Sequence, residues 1–212
     1  MNGLLLKELY TVNIYKKNFL FMLGVMVVIC VVMDMGTFYL PAMMMVYTMI
    51  TSMSAYSVDE SAKWDRYAIA MPVKRIQIVA ARYLVTLFLT IVALLAAFVL
   101  GTIITLVRFP ANSLVELALT CGIFALISMF AQSLMAPLCY KFGVEKARVA
   151  IMIIFMVPYL LIIWFMPYLM PFMQGLSTAA TIFLGTGIIL FICLLFIGSC
   201  VLSTRIYSKK EF

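Results

Sequence analysis

Side chains able to carry out covalent or metal chemistry are few in this sequence. None of its 212 residues is histidine, which excludes Ser–His nucleophilic pairs, histidine-ligated haem, Glu-x-x-His di-iron sites and histidine zinc sites. The five cysteines form no C-x-x-C pair and lie in or beside apolar runs, which is typical of small buried hydrophobic residues. There is no G-x-x-x-x-G-K-S/T phosphate loop and no G-x-G-x-x-G motif. We therefore expect a chain with no catalytic residue, metal ion, nucleotide or other cofactor of its own.

Composition places the chain in a membrane. Hydrophobic residues make up 67% of the sequence and charged residues 11%, and the mean hydropathy is +1.18. An average soluble domain is about 45–50% apolar and about 25% charged. A water-soluble fold could not cover this much apolar surface with charged groups. The composition excludes a soluble enzyme, a disordered chain and a disulfide scaffold, and it predicts an all-α polytopic membrane protein.

Long apolar runs predict six transmembrane helices, because about 20 mostly apolar residues are needed to cross the hydrocarbon. The runs lie at residues 19–35, 38–58, 83–107, 114–140, 149–167 and 177–204. They are continuously apolar, unlike the alternating strands of about ten residues that form membrane barrels. We expect the fifth run to kink or break at Pro158, Pro167 and Pro171.

The cations predict the orientation of these spans. All but one of the 15 lysines and arginines lie in four segments, namely the two ends of the chain and the connections after the second and fourth runs. An even number of spans puts these four segments on one side of the membrane, with only Arg108 on the other. The positive-inside rule makes that side cytoplasmic, so both termini are expected there. The net charge of +7 then reflects topology rather than nucleic-acid binding, because no basic run stands clear of the membrane.

Two regions follow from this layout. Residues 1–18 mix leucines with lysines and are interpreted as a helix lying on the inner leaflet, where lysines favour anionic lipid headgroups. The alternative is a simple basic flank of the first span. Residues 19–212 form one six-span domain, since the longest connection, at about residues 59–82, is too short to have its own core.

The connection after the second span contains an apolar stripe at helical spacing. Its members follow the i, i+3, i+4, i+7 pattern: Trp64, Tyr67, Ala68 and Met71. Ser57 and Glu60 could cap the start of such a helix, and Pro72 would end it. We predict a short amphipathic helix parallel to the cytosolic surface that docks a partner. The alternative is a solvated loop with a chance stripe.

Residues 59–84, DESAKWDRYAIAMPVKRIQIVAARYL, resemble the second cytosolic segment of ABC-2 type exporter permeases. In that family an acidic residue, a polar–aromatic helix, a Pro-Val or Pro-Ile step and basic residues precede the third span. Here the acidic residues are Asp59 and Glu60, the step lies at residues 71–73, and the bases are Lys74 and Arg75. The six-span layout and the N-terminal interfacial helix are similar across nearly the whole chain. The short outer loops differ from members with a large extracellular insertion.

The resemblance implies a passive transport subunit driven by alternating access. Two permease subunits would pair in the bacterial plasma membrane, a homodimer being the simpler arrangement, and each would dock a cytosolic ABC ATPase that binds ATP and Mg. Segment 59–75 would be the coupling segment, with its contacts at Asp59, Glu60, Lys63, Trp64, Asp65, Arg66, Tyr67, Met71, Pro72, Lys74 and Arg75. A smaller second contact would involve Lys141, Glu145, Lys146 and Arg148.

The cargo path is indicated by residues inside the spans. Few charges occur there, which argues against a proton relay and against ionic cargo. Methionine surfaces suit varied apolar partners, so a cavity could be lined by Met44, Met45, Met49, Gln132 and Ser128. The alternative is that the methionines pack or face lipid and that Gln132 bridges helices.

The resemblance implies export, and together with the few charges and many methionines of the spans it leads us to expect an amphipathic or hydrophobic cargo, with a peptide as the first choice and a lipid or hydrophobic drug as the second. A membrane enzyme is disfavoured, because the sequence has no histidine, no paired intramembrane aspartates and no Ser–base pair. A non-catalytic scaffold, or a binding subunit of another transporter, remains the alternative.

Overall fold

The computed structural model describes residues 2–14, 16–32, 39–70, 73–108, 113–174 and 177–209. Every regular element in these ranges is a helix, as the sequence predicts. The eight helices are α1 (Asn2–Ile14), α2 (Lys16–Val32), α3 (Tyr39–Ser61), α4 (Trp64–Ala70), α5 (Arg75–Arg108), α6 (Leu114–Phe142), α7 (Val144–Gln174) and α8 (Thr178–Lys209).

The long helices run in alternating directions through one bundle. The end of α3 lies beside the beginning of α5, where Asp59 and Arg82 form an ion pair. The end of α5 lies beside the beginning of α6, so closely that a Cβ on Gly101 would come within 2.9 Å of Leu117 Cδ2. We call the end that holds α1, α4, the last turns of α3, α6 and α8 and the first turns of α5 and α7 the basic end. The described parts of the four cation-rich segments all lie there.

Two apolar clusters hold the bundle together at different heights. At the basic end, Val79, Met135 and Tyr207 are buried in a cluster that joins α3, α5, α6, α7 and α8. Nearer the opposite end, Leu40 and Met44 are buried against α2 and α5. The first cluster therefore joins most of the bundle at the basic end, and the second joins α2, α3 and α5 nearer the opposite end.

Three helical stretches among the described residues are long and apolar enough to cross a membrane, namely Arg75–Val107, Leu114–Phe142 and Phe183–Lys209. A fourth is added if Gly3–Ile14 and Lys17–Cys30, which meet at a bend of 49°, form one span. The described part of each of the six apolar runs lies in a helix: α2, α3 and α5 to α8. The all-helical membrane class is confirmed, and the count of six spans stays a prediction.

One local expectation is wrong, and a second is wrong in part. Ser57 does not cap a new helix, because α3 continues through Ser61 and the chain turns only at Ala62 and Lys63. The fifth run does not break at its prolines, because α7 runs as one 31-residue helix from Val144 to Gln174, and a kink there stays a prediction. A proline removes a single backbone hydrogen bond, and the bonds on either side are enough to carry a long apolar helix past it.

Candidate functional site

The short helix α4 lies against the basic end of the bundle. It follows α3 after a two-residue turn in which Lys63 takes a left-handed conformation with φ of 50°. The Lys63 amide donates to the Glu60 carbonyl at 3.1 Å, and the Arg66 amide donates to the Lys63 carbonyl at 3.1 Å. This turn separates α4 from α3 and lets α4 change direction without a glycine.

The predicted stripe divides between two faces of α4. Ala68 is 1% exposed and Trp64 is half-buried, and both pack on the apolar cluster of the basic end. Tyr67 is 65% exposed, and Arg66 beside it is also exposed. One face of α4 therefore anchors it to the bundle and the other is open. Met71 lies outside the described residues.

A cluster of four charged side chains joins α1, α3 and α5 behind α4. The Lys7 ammonium lies 2.6 Å and 2.7 Å from the two carboxylate oxygens of Asp59 and 3.0 Å from Glu8 Oε1. The Arg82 guanidinium donates from Nη2 to Glu8 Oε1 at 2.9 Å and also to Asp59 Oδ2. We call Lys7, Glu8, Asp59 and Arg82 the ion cluster.

The ion cluster is shielded from solvent. The side chain of Arg82 is 4% exposed, that of Glu8 6% and that of Asp59 15%. Tyr56 covers the Arg82 guanidinium, whose carbon lies 4.4 Å from the ring centre, and the Lys7 ammonium lies 4.6 Å from the Trp64 ring centre. Buried charges are tolerated only when paired, so the four side chains hold their helices in one arrangement. Through Trp64, α4 is attached to this arrangement.

Glu60 is turned toward α7. Its Oε2 accepts a hydrogen bond at 2.9 Å from the amide of Val144, the first residue of α7, where a carboxylate stabilises the positive end of the helix dipole. Gly143 before it has φ of 78°, and a Cβ there would lie 3.0 Å from Glu60 Oε1. The end of α3, the turn between α6 and α7, and the start of α7 are therefore fitted together by a glycine and a carboxylate.

The end of α8 is held by α4 and by the start of α5. The Tyr207 hydroxyl donates to Asp65 Oδ1 at 3.3 Å. The Arg75 guanidinium donates to the carbonyls of Tyr207, at 3.4 Å, and of Ser208. A cation at the last carbonyls of a helix complements its negative end. Asp65 and Arg75, both predicted as partner contacts, are thus engaged within the chain.

Other predicted contact residues remain on the surface. Lys63 and Lys74 are exposed on either side of α4. The second predicted contact lies at the α6–α7 junction, and its four members are all exposed: Lys141, Glu145, Lys146 and Arg148. Pro72 lies outside the described residues. The partner-binding role of these residues stays a prediction.

The polar side chains in the middle of the bundle bond to one another. Gln132 Nε2 donates to Thr90 Oγ1 at 2.8 Å and to Ser128 Oγ at 3.1 Å. Ser128 Oγ lies 3.4 Å from Thr48 Oγ1, and all four residues are buried. This network joins α3, α5 and α6, as the helix-bridging alternative predicts.

The methionines proposed for a cargo cavity lie on α3. Met44 is 1% exposed in the apolar cluster near the opposite end, while Met45 and Met49 are half-buried. The largest cavity that we describe, of about 720 Å³, is an apolar groove between α6 and α8 that includes Gly122, Ile123 and Ile189. None of the three methionines lines it, and their role in a cargo path stays a prediction.

A small polar cavity of about 60 Å³ lies under α4, lined in part by Asp59, Glu60, Asp65, Arg82 and Tyr140. The carboxylates of Asp59, Glu60 and Asp65 in the predicted coupling segment thus share one cavity, with Glu60 also exposed to solvent. Within the ranges that the structure describes, no three histidine, cysteine, aspartate or glutamate side chains are grouped so that they could hold a metal ion.

The sequence interpretation missed the ion cluster and the polar residues of α8. A signal for the first is Arg82, a cation seven residues into the long apolar helix α5. A signal for the second is the four-residue spacing of Ser199, Ser203 and Tyr207, which puts the three side chains on one face of α8. Polar groups at such places in apolar helices indicate internal partners.

Comparison with known proteins gives one match. Residues 3–208 match the family model described as ABC-2 family transporter protein. No curated protein and no solved structure matches the chain.

Proposed function

Because the chain belongs to the ABC-2 family of transporter proteins, we propose that it is the transmembrane permease subunit of an ATP-driven exporter. Membership of the family makes it a membrane component of an ABC transporter and implies association with an ABC ATPase subunit. The family match over residues 3–208 is the observation that carries the proposal. ATP hydrolysis takes place on the ATPase subunit and not on this chain.

The proposed topology has six spans, with both ends of the chain and the basic end of the bundle in the cytoplasm of a bacterial cell. The distribution of cations along the sequence supports this orientation. The outer face of α1 supports an interfacial position, because Tyr10 and Ile14 are exposed while Leu4, Glu8 and Thr11 are turned to the bundle. The exposed side chains would lie among lipid headgroups.

The proposed ATPase contact is the outward face of α4. Lys63, Arg66 and Tyr67 are exposed there, whereas Asp59 and Glu60 have partners within the chain. An exposed aromatic residue flanked by two cations suits a cleft that is itself partly apolar and acidic. The exposed charges at the α6–α7 junction, from Lys141 to Arg148, supply the smaller second contact. Two ATPases serve a pair of permease chains, for which we propose a homodimer.

The proposed mechanism transmits ATPase closure through α4 to the spans. α4 is joined to α3 by a two-residue turn, and its Trp64 contacts Lys7 of the ion cluster, which holds α1, α3 and α5 together. A displacement of α4 therefore acts on several helices at once. ATP can drive the change between two arrangements of the bundle only by binding one of them more tightly than the other.

The proposed cargo is amphipathic or hydrophobic, with a peptide as the first candidate. Polar groups in the middle of the bundle, such as Gln132 and Thr90, are bonded to each other and leave little to coordinate an ion. Charged side chains of the described spans lie toward the helix ends. Such a path suits cargo that presents apolar surface.

The test is co-purification of an ABC ATPase with the tagged chain from its native membrane, followed by ATP hydrolysis in nanodiscs. We expect the wild-type chain to retain the ATPase, and the Arg66→Glu/Tyr67→Ala variant to lose it at unchanged expression and thermal stability. Tyr168→Ala is the matched control, because Tyr168 is also a largely exposed tyrosine, at 76% against 65% for Tyr67, but lies 24 residues beyond the start of α7. Absence of any ABC ATPase from the wild-type preparation would overturn the proposal.

A further inference from the structure

Three residues of α8 form a buried polar face. Ser199, Ser203 and Tyr207 are spaced by four residues, which places them above one another on one side of a helix. They are 8%, 0% and 0% exposed. In the apolar helix α8, a polar face of this kind is stabilised only by partners on neighbouring helices. We call these three residues the α8 polar face.

Each residue of the α8 polar face has a partner on another helix. The Tyr83 hydroxyl of α5 lies 2.7 Å from Ser199 Oγ and 2.9 Å from Ser203 Oγ. Ser199 Oγ also donates to the Ser133 carbonyl of α6. The α8 polar face is therefore bonded along two turns to α5 and α6, and α8 cannot shift without moving the helices that flank it.

Tyr207, the residue of the α8 polar face nearest the end of α8, contacts α4. Tyr207 donates to Asp65, which lies next to the tryptophan that anchors α4 to the bundle. The Tyr207 ring packs edge-on against Tyr140, with centroids 5.5 Å apart, so the ring is held independently of its hydroxyl. The hydroxyl thus adds one directional bond between α4 and the end of α8, where Arg75 also holds the last carbonyls.

We propose that Tyr207 is a positioning residue that makes the last span follow α4, so that a movement imposed on α4 reaches α8 and, through the α8 polar face, α5 and α6. The inference rests on the proposed function, since it is the ATPase that would move α4. The turn from α3 and the ion cluster transmit the same movement to α1, α3 and α5. The hydrogen bond from Tyr207 to Asp65 connects α4 separately to α8 and, through α8, to α6.

The test measures the movement of α8 directly and needs no knowledge of the cargo. Spin labels are placed at Lys17 of α2 and Arg205 of α8, both exposed, in a chain whose five cysteines are replaced by alanine. Labelled chains are diluted with unlabelled ones, bound to the co-purifying ATPase and reconstituted in nanodiscs. The distance between the labels is compared without nucleotide and after trapping with ATP and vanadate.

We expect the trapped state to shift this distance in the otherwise unmodified chain, and we expect Tyr207→Phe to lose more than half of the shift. ATPase co-purification, ATP hydrolysis and thermal stability should stay at the parental level in Tyr207→Phe, which a purely structural role would not predict. Asp65→Ala removes the same bond from the other side and should have the same effect. Tyr10→Phe, which removes an exposed hydroxyl on α1, is the control.

An undiminished shift in both Tyr207→Phe and Asp65→Ala would overturn the inference. An ATP-hydrolysing parental complex whose label distance does not change would also overturn it, and the proposed function would stand. If no ABC ATPase binds the parental chain, the proposed function fails first, and the co-purification step reveals this before any distance is measured.

Discussion

Arg82 of α5 and Glu8 of α1 form a buried ion pair in which Arg82 Nε lies 2.9 Å from Glu8 Oε2. The pair is 74 residues apart in sequence and ties the N-terminal helix to the bundle. It explains why α1 shows so little separation of polar and apolar faces: its inward face carries a glutamate, and its outward face carries Tyr10 and Ile14. A helix that pairs a charge inward and exposes apolar side chains outward does not follow the usual soluble pattern.

Removal of Arg82 should destabilise the protein strongly. Arg82→Leu leaves the carboxylates of Glu8 and Asp59 with only Lys7 to neutralise them, and breaking a buried pair on one side costs about 3–5 kcal/mol. The measurement is the midpoint of thermal unfolding in detergent. The Glu8→Leu/Arg82→Leu double variant should be more stable than Arg82→Leu alone. If the loss of stability in the double variant equals the sum of the losses in Glu8→Leu and Arg82→Leu, the two side chains do not interact.

Gly143 should tolerate no side chain. Gly143→Ala forces a Cβ into a backbone with φ of 78° and to within 3.0 Å of Glu60 Oε1, and such a conformation costs about 1–3 kcal/mol in other residues. Gly122→Ala is the matched control, because a Cβ there meets nothing within 4 Å and alanine favours the helix. Thermal unfolding of the two variants measures the difference. Equal unfolding midpoints in the two variants would contradict the close packing of Gly143 against Glu60.

Loss of the Glu60 side chain should lower the stability of the protein and leave its binding to the ATPase unchanged. Glu60→Ala removes the carboxylate that caps α7, which costs about 1 kcal/mol for a typical cap. ATPase co-purification should be unchanged, because the side chain is directed at Val144 and not along the open face of α4. Thermal unfolding and pull-down are measured on the same preparation. Release of the ATPase at unchanged stability would place Glu60 in the contact after all.

Gln132 should contribute to helix association. Gln132→Met keeps the length of the side chain but removes the donor to Thr90 and Ser128, and bonds of this kind in membranes are worth about 0.5–2 kcal/mol. The unfolding midpoint should fall accordingly. Thr120→Val, on the exposed part of α6, is a control that removes only a bond to its own helix. A midpoint that is unchanged in Gln132→Met would favour a solvent-filled cargo path at this position.

The helices could be predicted from the sequence because each depends on local hydropathy. The described parts of all six apolar runs lie in helices, and the short helix around Trp64 is present as α4. The pattern predicts one face for the whole stripe, but the structure divides it, because helical spacing does not say which residue meets the bundle. Ala68 lies inside the apolar cluster of the basic end, and Tyr67 is exposed.

The internal partners of the charged residues could not be predicted. The sequence predicts Asp59 and Glu60 as contacts of the ATPase, yet they have partners 52 and 84 residues away, on α1 and α7. Such pairings depend on how the helices come together, which no local pattern encodes. Arg82 alone indicates that such a pairing exists, since a cation within a long apolar helix requires a partner of opposite charge.

Photo-cross-linking at Tyr67, the exposed aromatic residue of α4, tests most directly whether α4 contacts an ABC ATPase. With benzoylphenylalanine in place of Tyr67, ultraviolet light should link the chain to an ABC ATPase in native membranes, and mass spectrometry of the product should identify a peptide of that ATPase. The same substitution at Tyr168 should give no such product. Cross-links from Tyr67 only to lipid or to a second copy of this chain would contradict the proposal that α4 binds the ATPase.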